Sequence, residues 1–164
     1  MDIAVRHFEN RADGYRYALE QLEALLGAET DLTAGLANAS ALIMLLLPDL
    51  NWAGFYRLAG DGLVLGPFQG KPAVSRIALG DGVCGTAAQS RTAQCVPDVH
   101  QCCNHIACDL SSASEAVLPL FVRGGLYGVL DLDSPVVRHF TEDDLAGLQP
   151  LAHAIEQWIE KTGA

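Results

Sequence analysis

Positive charge is scarce in this chain: ten Lys and Arg stand against twenty Asp and Glu, a formal charge of -10. Binding along a phosphate backbone needs a basic face, so the balance argues against nucleic acid and anionic membrane as partners. Long apolar runs are also missing. The longest, Ala41 to Leu47, falls far short of the roughly 18 residues that a membrane span requires, and the opening MDIAVRHFEN lacks a basic-then-apolar signal pattern. The expectation is a soluble, cytoplasmic protein. Repeats, low-complexity tracts and linkers are absent, and 164 residues at 50% hydrophobic content suffice for one core but not two. One domain over 1–164 is expected. Paired CxxC knuckles are missing as well, and five cysteines, an odd and clustered set, do not make a disulfide framework.

What is present is a concentration of sulfur. Four of the five cysteines fall between Cys95 and Cys108, in and beside the stretch VPDVHQCCNHIACDLSSASE that runs from Val96 to Glu115. Cys95, His100, Cys102, Cys103, His105 and Cys108 offer thiolate and imidazole, the right donors for zinc. Their spacing does not match a structural zinc module, and Cys95 falls on an expected strand, so no metal is expected. A redox or nucleophilic site, or plain apolar packing of small thiols, remain as readings.

Around this stretch the pattern is that of a mixed α and β chain. Apolar residues recur at helical spacing from Asp13 to Leu26, with Gly27 as a stop, and again from Asp31, an N-cap, to Leu47 before Pro48. Strands are expected at Asn51 to Leu58 and Leu63 to Phe68, joined at Asp61-Gly62, and at Val74 to Leu79. A Gly80-Asp81-Gly82 turn opens a short helix over Cys84 to Gln89, a short strand spans Ala93 to Val96, and Pro97 to Ser114 reads as a long loop, the kind of segment that carries function in compact domains. Ala116 to Val122 and Leu126 to Leu132 form a second hairpin about Gly124-Gly125, and Thr141 with Asp144 starts a closing helix in which Pro150 predicts a kink.

Two acidic residues and one thiol stand out chemically. Asp131 and Asp133 are two apart on a strand, so both project from one face, and their mutual repulsion favours a proton on one of them. Cys84 follows a Gly-rich turn at a helix N-terminus, where backbone donors favour a thiolate. For Asp133 a strand-ending turn, and for Cys84 close packing between glycines, are the plain alternatives.

From Asn51 to Leu148 the chain resembles the free methionine-(R)-sulfoxide reductase family, a branch of the GAF domains. The strings that carry the resemblance are NWAGFY (Asn51 to Tyr56), LGPFQGKPA (Leu65 to Ala73), GVCGTAA (Gly82 to Ala88), VPDVH (Val96 to His100), HIACD (His105 to Asp109), Ser114-Glu115, and GVLDLDSP (Gly128 to Pro135). The resemblance implies an α+β, GAF-like domain with a central antiparallel sheet flanked by N-terminal and C-terminal helices, commonly a homodimer, with no bound metal or cofactor. It implies Cys108 as the nucleophile and Trp52, Tyr56, Glu115, Asp131 and Asp133 as the substrate pocket. It also implies a Cys108 sulfenic acid resolved as a disulfide and reopened by thioredoxin, with reducing equivalents from NADPH.

The chain departs from the family pattern at Val74, where many members carry the first resolving cysteine after the KPA string, and at Ala113, where asparagine is frequent. Cys84 then leads as resolver, with Cys102, Cys103 and Cys95 as alternatives. The competing function is a non-catalytic GAF sensor of a small molecule or of redox state, which would bind without turnover.

Overall fold

The computed structural model describes residues 3–101 and 111–163. The first helix, α1 (Arg11–Leu26), begins slightly before the expected start: Asn10 is the N-cap, and its side chain accepts from the Asp13 amide. The second, α2 (Leu32–Leu46), is capped by Asp31 as expected and stops where Leu47 turns extended ahead of Pro48. Tyr15, Ala18, Leu22 and Leu26 of α1, and Leu36, Ala39, Leu42 and Ile43 of α2, are the buried faces. Burying each Leu-sized side chain contributes roughly 1.5–3 kcal/mol.

The strands are β1 (Trp52–Ala59), β2 (Gly62–Gln69), β3 (Arg76–Ala78), β4 (Gln94–Val96), β5 (Ser114–Val122) and β6 (Gly125–Ser134). A short helix, α3 (Gly82–Ser90), lies between β3 and β4, and α4 (Glu142–Thr162) closes the chain. All pairings are antiparallel, in the order β3-β2-β1-β6-β5-β4. The third strand is shorter than the expected Val74 to Leu79. Both hairpin turns sit one residue earlier than the expected pairs; in the second, Arg123 and Gly124 hold the turn with φ of 51° and 77°, the positive values that fit a strand's twist.

The capping box expected at Thr141 and Asp144 forms, with each residue's side chain accepting from the other's backbone N–H. Asp144 does more than cap: it also accepts from Tyr15 Oη at 2.8 Å and pairs with Arg11 at 2.9 Å, tying α4 to α1. The helix runs through Pro150 as one element. Pro150 and Ala146, whose carbonyl loses its usual donor, are both exposed, so water can serve that carbonyl.

Side-chain alternation assigns the two faces of the sheet. Ala53 and Phe55 of β1, Ala116, Leu118 and Leu120 of β5, and Leu130 and Leu132 of β6 pack under α1, α2 and α4 as one large core. The opposite face carries Trp52, Tyr56, Val117 and Val129, covered by Val83, Cys84, Ala87 and Ala88 of α3. Among the described residues, no helix is long and apolar enough to cross a membrane.

Candidate active site

The second face of the sheet is where the polar residues are buried. Cross-strand register puts Trp52 opposite Asp133 and Gly54 opposite Asp131 on β1 and β6, and Glu115 opposite Asp133 on β5 and β6. Three carboxyl groups from two neighbouring strands therefore share one small area. Asp131 and Asp133 are fully buried and Glu115 is 2% exposed. The side chains of Glu115 and Asp131 hydrogen-bond each other. A hydrogen bond between two carboxyls needs a proton on one of them, so the pair carries a proton in place of a second full charge. Burial pushes the Glu115 carboxyl well above the ordinary carboxylate range; the nearby charge of Asp133 adds to the rise, and the hydrogen bond to Asp131 works against it.

Cys84 reaches this cluster from above. It is the third residue of α3, whose Asp81 N-cap makes no side-chain capping bond. Gly85 explains how the helix start comes so close to the strand before it: a Cβ there would sit 2.3 Å from the Ala78 carbonyl oxygen. Cys84 is 2% exposed, and its thiol faces Glu115 Oε1 at 4.0 Å. Cys84, Glu115 and Asp131 each offer a donor atom within 4.8 Å of the others. This is a different set from the cysteines and histidines weighed for zinc in the sequence. The chemistry of the three fits a shared proton as well as a cation, since the two carboxyls already hydrogen-bond.

The aromatic wall stands beside the carboxyls. Trp52 stacks with Tyr56 at 6.0 Å between ring centroids and with Phe68 at 5.3 Å. The Trp52 indole N–H donates to the Lys71 carbonyl at 3.1 Å and the Tyr56 hydroxyl to the Val74 carbonyl at 2.9 Å. Both aromatic side chains are thus fixed by the chain that follows β2. Lys71 in turn donates through Nζ to Ser111 Oγ, and Asn51 Nδ2 donates to Ser111 and Ser112, each within 3.3 Å. Phe68 and this polar rim were not singled out in the sequence, although Phe68, Asn51 and Lys71 lie in the strings NWAGFY and LGPFQGKPA, and Ser111 and Ser112 fall between HIACD and Ser114-Glu115.

Of the candidate residues, Trp52, Tyr56, Cys84, Glu115, Asp131 and Asp133 come together on one face of the sheet. Cys95 does not: it pairs with Ala116 on β5 and packs with the helix-side core, so the sheet separates it from Cys84. Burial, and then the charges of Glu142 and Asp144, push its thiol up. Cys102, Cys103 and Cys108 lie outside the described residues.

A sheet of this order, with α1, α2 and α4 on one face and a buried polar cluster beneath α3 on the other, defines the chain as a GAF domain, and the GAF domain family model matches residues 21–159. The chain is 48% identical over 153 residues to the free methionine-R-sulfoxide reductase of Escherichia coli, covering 93% of each protein. The solved structure of free methionine-R-sulfoxide reductase from Neisseria meningitidis in complex with its substrate matches with a TM-score of 0.92 at 40% identity, over 97% of this chain and 96% of that one. The reduced form of the Staphylococcus aureus enzyme matches with a TM-score of 0.85 at 40% identity, over 96% and 99% of the two chains. Within the GAF domains, the chain belongs to the free methionine-R-sulfoxide reductase family, a family of oxidoreductase enzymes.

Proposed function

We propose that the protein reduces free L-methionine-(R)-sulfoxide to methionine with Cys108 as its nucleophile. The observation that carries this reading is the buried, hydrogen-bonded Glu115–Asp131 pair beside the Trp52–Tyr56 stack. A sulfoxide is a polar S–O group flanked by apolar carbons, and reduction requires that its oxygen receive a proton as the S–O bond breaks. The carboxyl pair holds such a proton in a place that excludes water. Stacked aromatic rings suit the thioether methyl and sulfur, and Asp133 offers a negative charge to the substrate's ammonium.

In the first half-reaction the Cys108 thiolate attacks the sulfoxide sulfur, the oxygen is protonated by the carboxyl pair, and it transfers to Cys108 as methionine leaves. The sulfur of the substrate is reduced and Cys108 is oxidised to a sulfenic acid. In the second, a further thiol displaces the hydroxyl as water and closes a disulfide. Cys84 is the leading candidate, because it is the cysteine on the carboxylate face of the sheet among the described residues. Thioredoxin reopens the disulfide by exchange, drawing on NADPH. The working form is a cytoplasmic homodimer in which each chain is one GAF domain.

The test is an NADPH-coupled thioredoxin assay with each epimer of free methionine sulfoxide. Turnover of the R epimer with little of the S epimer supports the reading. Tight binding without NADPH oxidation, or with no methionine produced, supports a sensor instead.

A further inference from the structure

Proton supply is only half of what this site needs. If Cys84 resolves the sulfenic acid, it must attack as a thiolate, since the neutral thiol is a poor nucleophile. Its position at the start of α3 favours the thiolate, but burial and the neighbouring carboxyl groups of Glu115 and Asp131 oppose it. The proton has to leave during the attack, and the atom placed to take it is Glu115 Oε1, which the thiol already faces at 4.0 Å.

We infer that Glu115 acts in both half-reactions, first as part of the pair that protonates the sulfoxide oxygen and then as the base that takes the proton from Cys84. The inference rests on the reading above, with Cys108 as nucleophile and Cys84 as its resolver. After the first half-reaction the Glu115–Asp131 pair has given up its proton and both carboxyls are ionised. That state is the one able to act as a base. The Cys84 proton moves to Glu115, the Cys84 sulfur bonds the Cys108 sulfur, and the sulfur–oxygen bond of the sulfenic acid breaks. The departing hydroxide leaves as water with the proton that the pair has just received. Cys84 is oxidised, the sulfenic sulfur is reduced, and one water is released. Asp131, ionised beside Glu115 at this stage and within 4.8 Å of it, takes part by raising the affinity of that carboxylate for the thiol proton.

The two roles of Glu115 are separated by entering the cycle after the first. One equivalent of hydrogen peroxide converts the Cys108 thiolate to its sulfenic acid without any sulfoxide, the departing hydroxide leaving as water with the proton of the carboxyl pair, and rapid quenching with alkylation and peptide mass mapping then follows closure of the disulfide. In the unsubstituted protein the Cys84–Cys108 bridge is expected to form at nearly the same rate at pH 6 and pH 7.5. Closure in Glu115→Gln is expected to be slower by about a hundredfold at neutral pH, the scale of a positioned base, and to recover as pH rises past the ordinary thiol value of about 8.5.

A Glu115→Gln protein that closes within about threefold of the unsubstituted rate overturns the base role while leaving the resolver assignment intact. An unsubstituted rate that climbs tenfold per pH unit from pH 6 overturns it too, because the thiolate would then form without a local base; this measurement needs no variant. A bridge that omits Cys84 removes the resolver assignment itself and this role with it.

Discussion

Glu115 and Asp131 hydrogen-bond each other through buried carboxyl groups, and it is burial first, then the nearby charge of Asp133, that outweighs this bond and sets how Glu115 responds to pH. Glu115's carboxyl is raised above its ordinary value of 4.5. The folded protein therefore holds the Glu115 proton at pH values where the unfolded chain has lost it. That contribution to stability is fully present below about 4.5 and is lost as pH rises through the raised folded value. Urea denaturation from pH 4.5 to 8 should show stability falling with pH more steeply in the unsubstituted protein than in Glu115→Gln. Equal slopes in the two proteins would argue against a raised Glu115.

The cysteines should separate by half-reaction. With one equivalent of free methionine-(R)-sulfoxide and no reductant, Cys108→Ser is expected to yield no methionine. Cys84→Ser should still release about one methionine per chain and then turn over at least about tenfold more slowly with thioredoxin, because a thiol that must come from solution replaces a held one. Cys95→Ser should cycle normally, since Cys95 lies on the helix side of the sheet. Amino-acid analysis of quenched reactions distinguishes the three.

Gly54 faces Asp131 across β1 and β6 and leaves room for the aromatic wall. A Cβ at this position would come within 2.4 Å of Phe68 Cβ and 2.6 Å of the Trp52 ring. Gly54→Ala should cost about 1–3 kcal/mol, the usual range for overpacking, and raise KM by displacing Trp52. Chemical denaturation and steady-state kinetics read the two effects.

Away from the site, Tyr15 donates to the buried Asp144, and its hydroxyl is held in the protonated form, by burial first and then by this bond. Tyr15→Phe removes a hydrogen bond to a charged group and leaves that carboxylate oxygen short of a donor, at a cost of about 1.5–3 kcal/mol. The loss should show in the urea midpoint with kcat unchanged.

Much of this fold could be read from periodicity and punctuation. Asp31, Thr141 and Asp144 cap helices where their residue types suggested, and the alternation in GVLDLDSP places Asp131 and Asp133 on one face and Leu130 and Leu132 on the other. What periodicity cannot supply is register between strands distant in sequence. That Glu115 would stand opposite Asp133, and that Cys84 would face Glu115, depends on how β5 pairs with β6 and on how closely Gly85 lets α3 approach the Ala78 backbone. Cys95 shows the same limit from the other side: it lies in the sulfur-rich stretch of the sequence, yet one pleat decides that it joins the helix-side core. The assignment of Cys108 came from the string HIACD and the family resemblance.

The central claim is that this site removes oxygen from one epimer of a free amino acid and keeps the oxidising equivalents in its own thiols. The most direct test is a single-turnover reaction of the pre-reduced protein with each epimer of free methionine sulfoxide, with no reductant, scored for methionine released and thiols lost. The account predicts about one methionine and two thiols lost per chain with the R epimer, as thiol–disulfide stoichiometry requires, and essentially no methionine with the S epimer. Absence of methionine with the R epimer, or equal yields from both epimers, would contradict it.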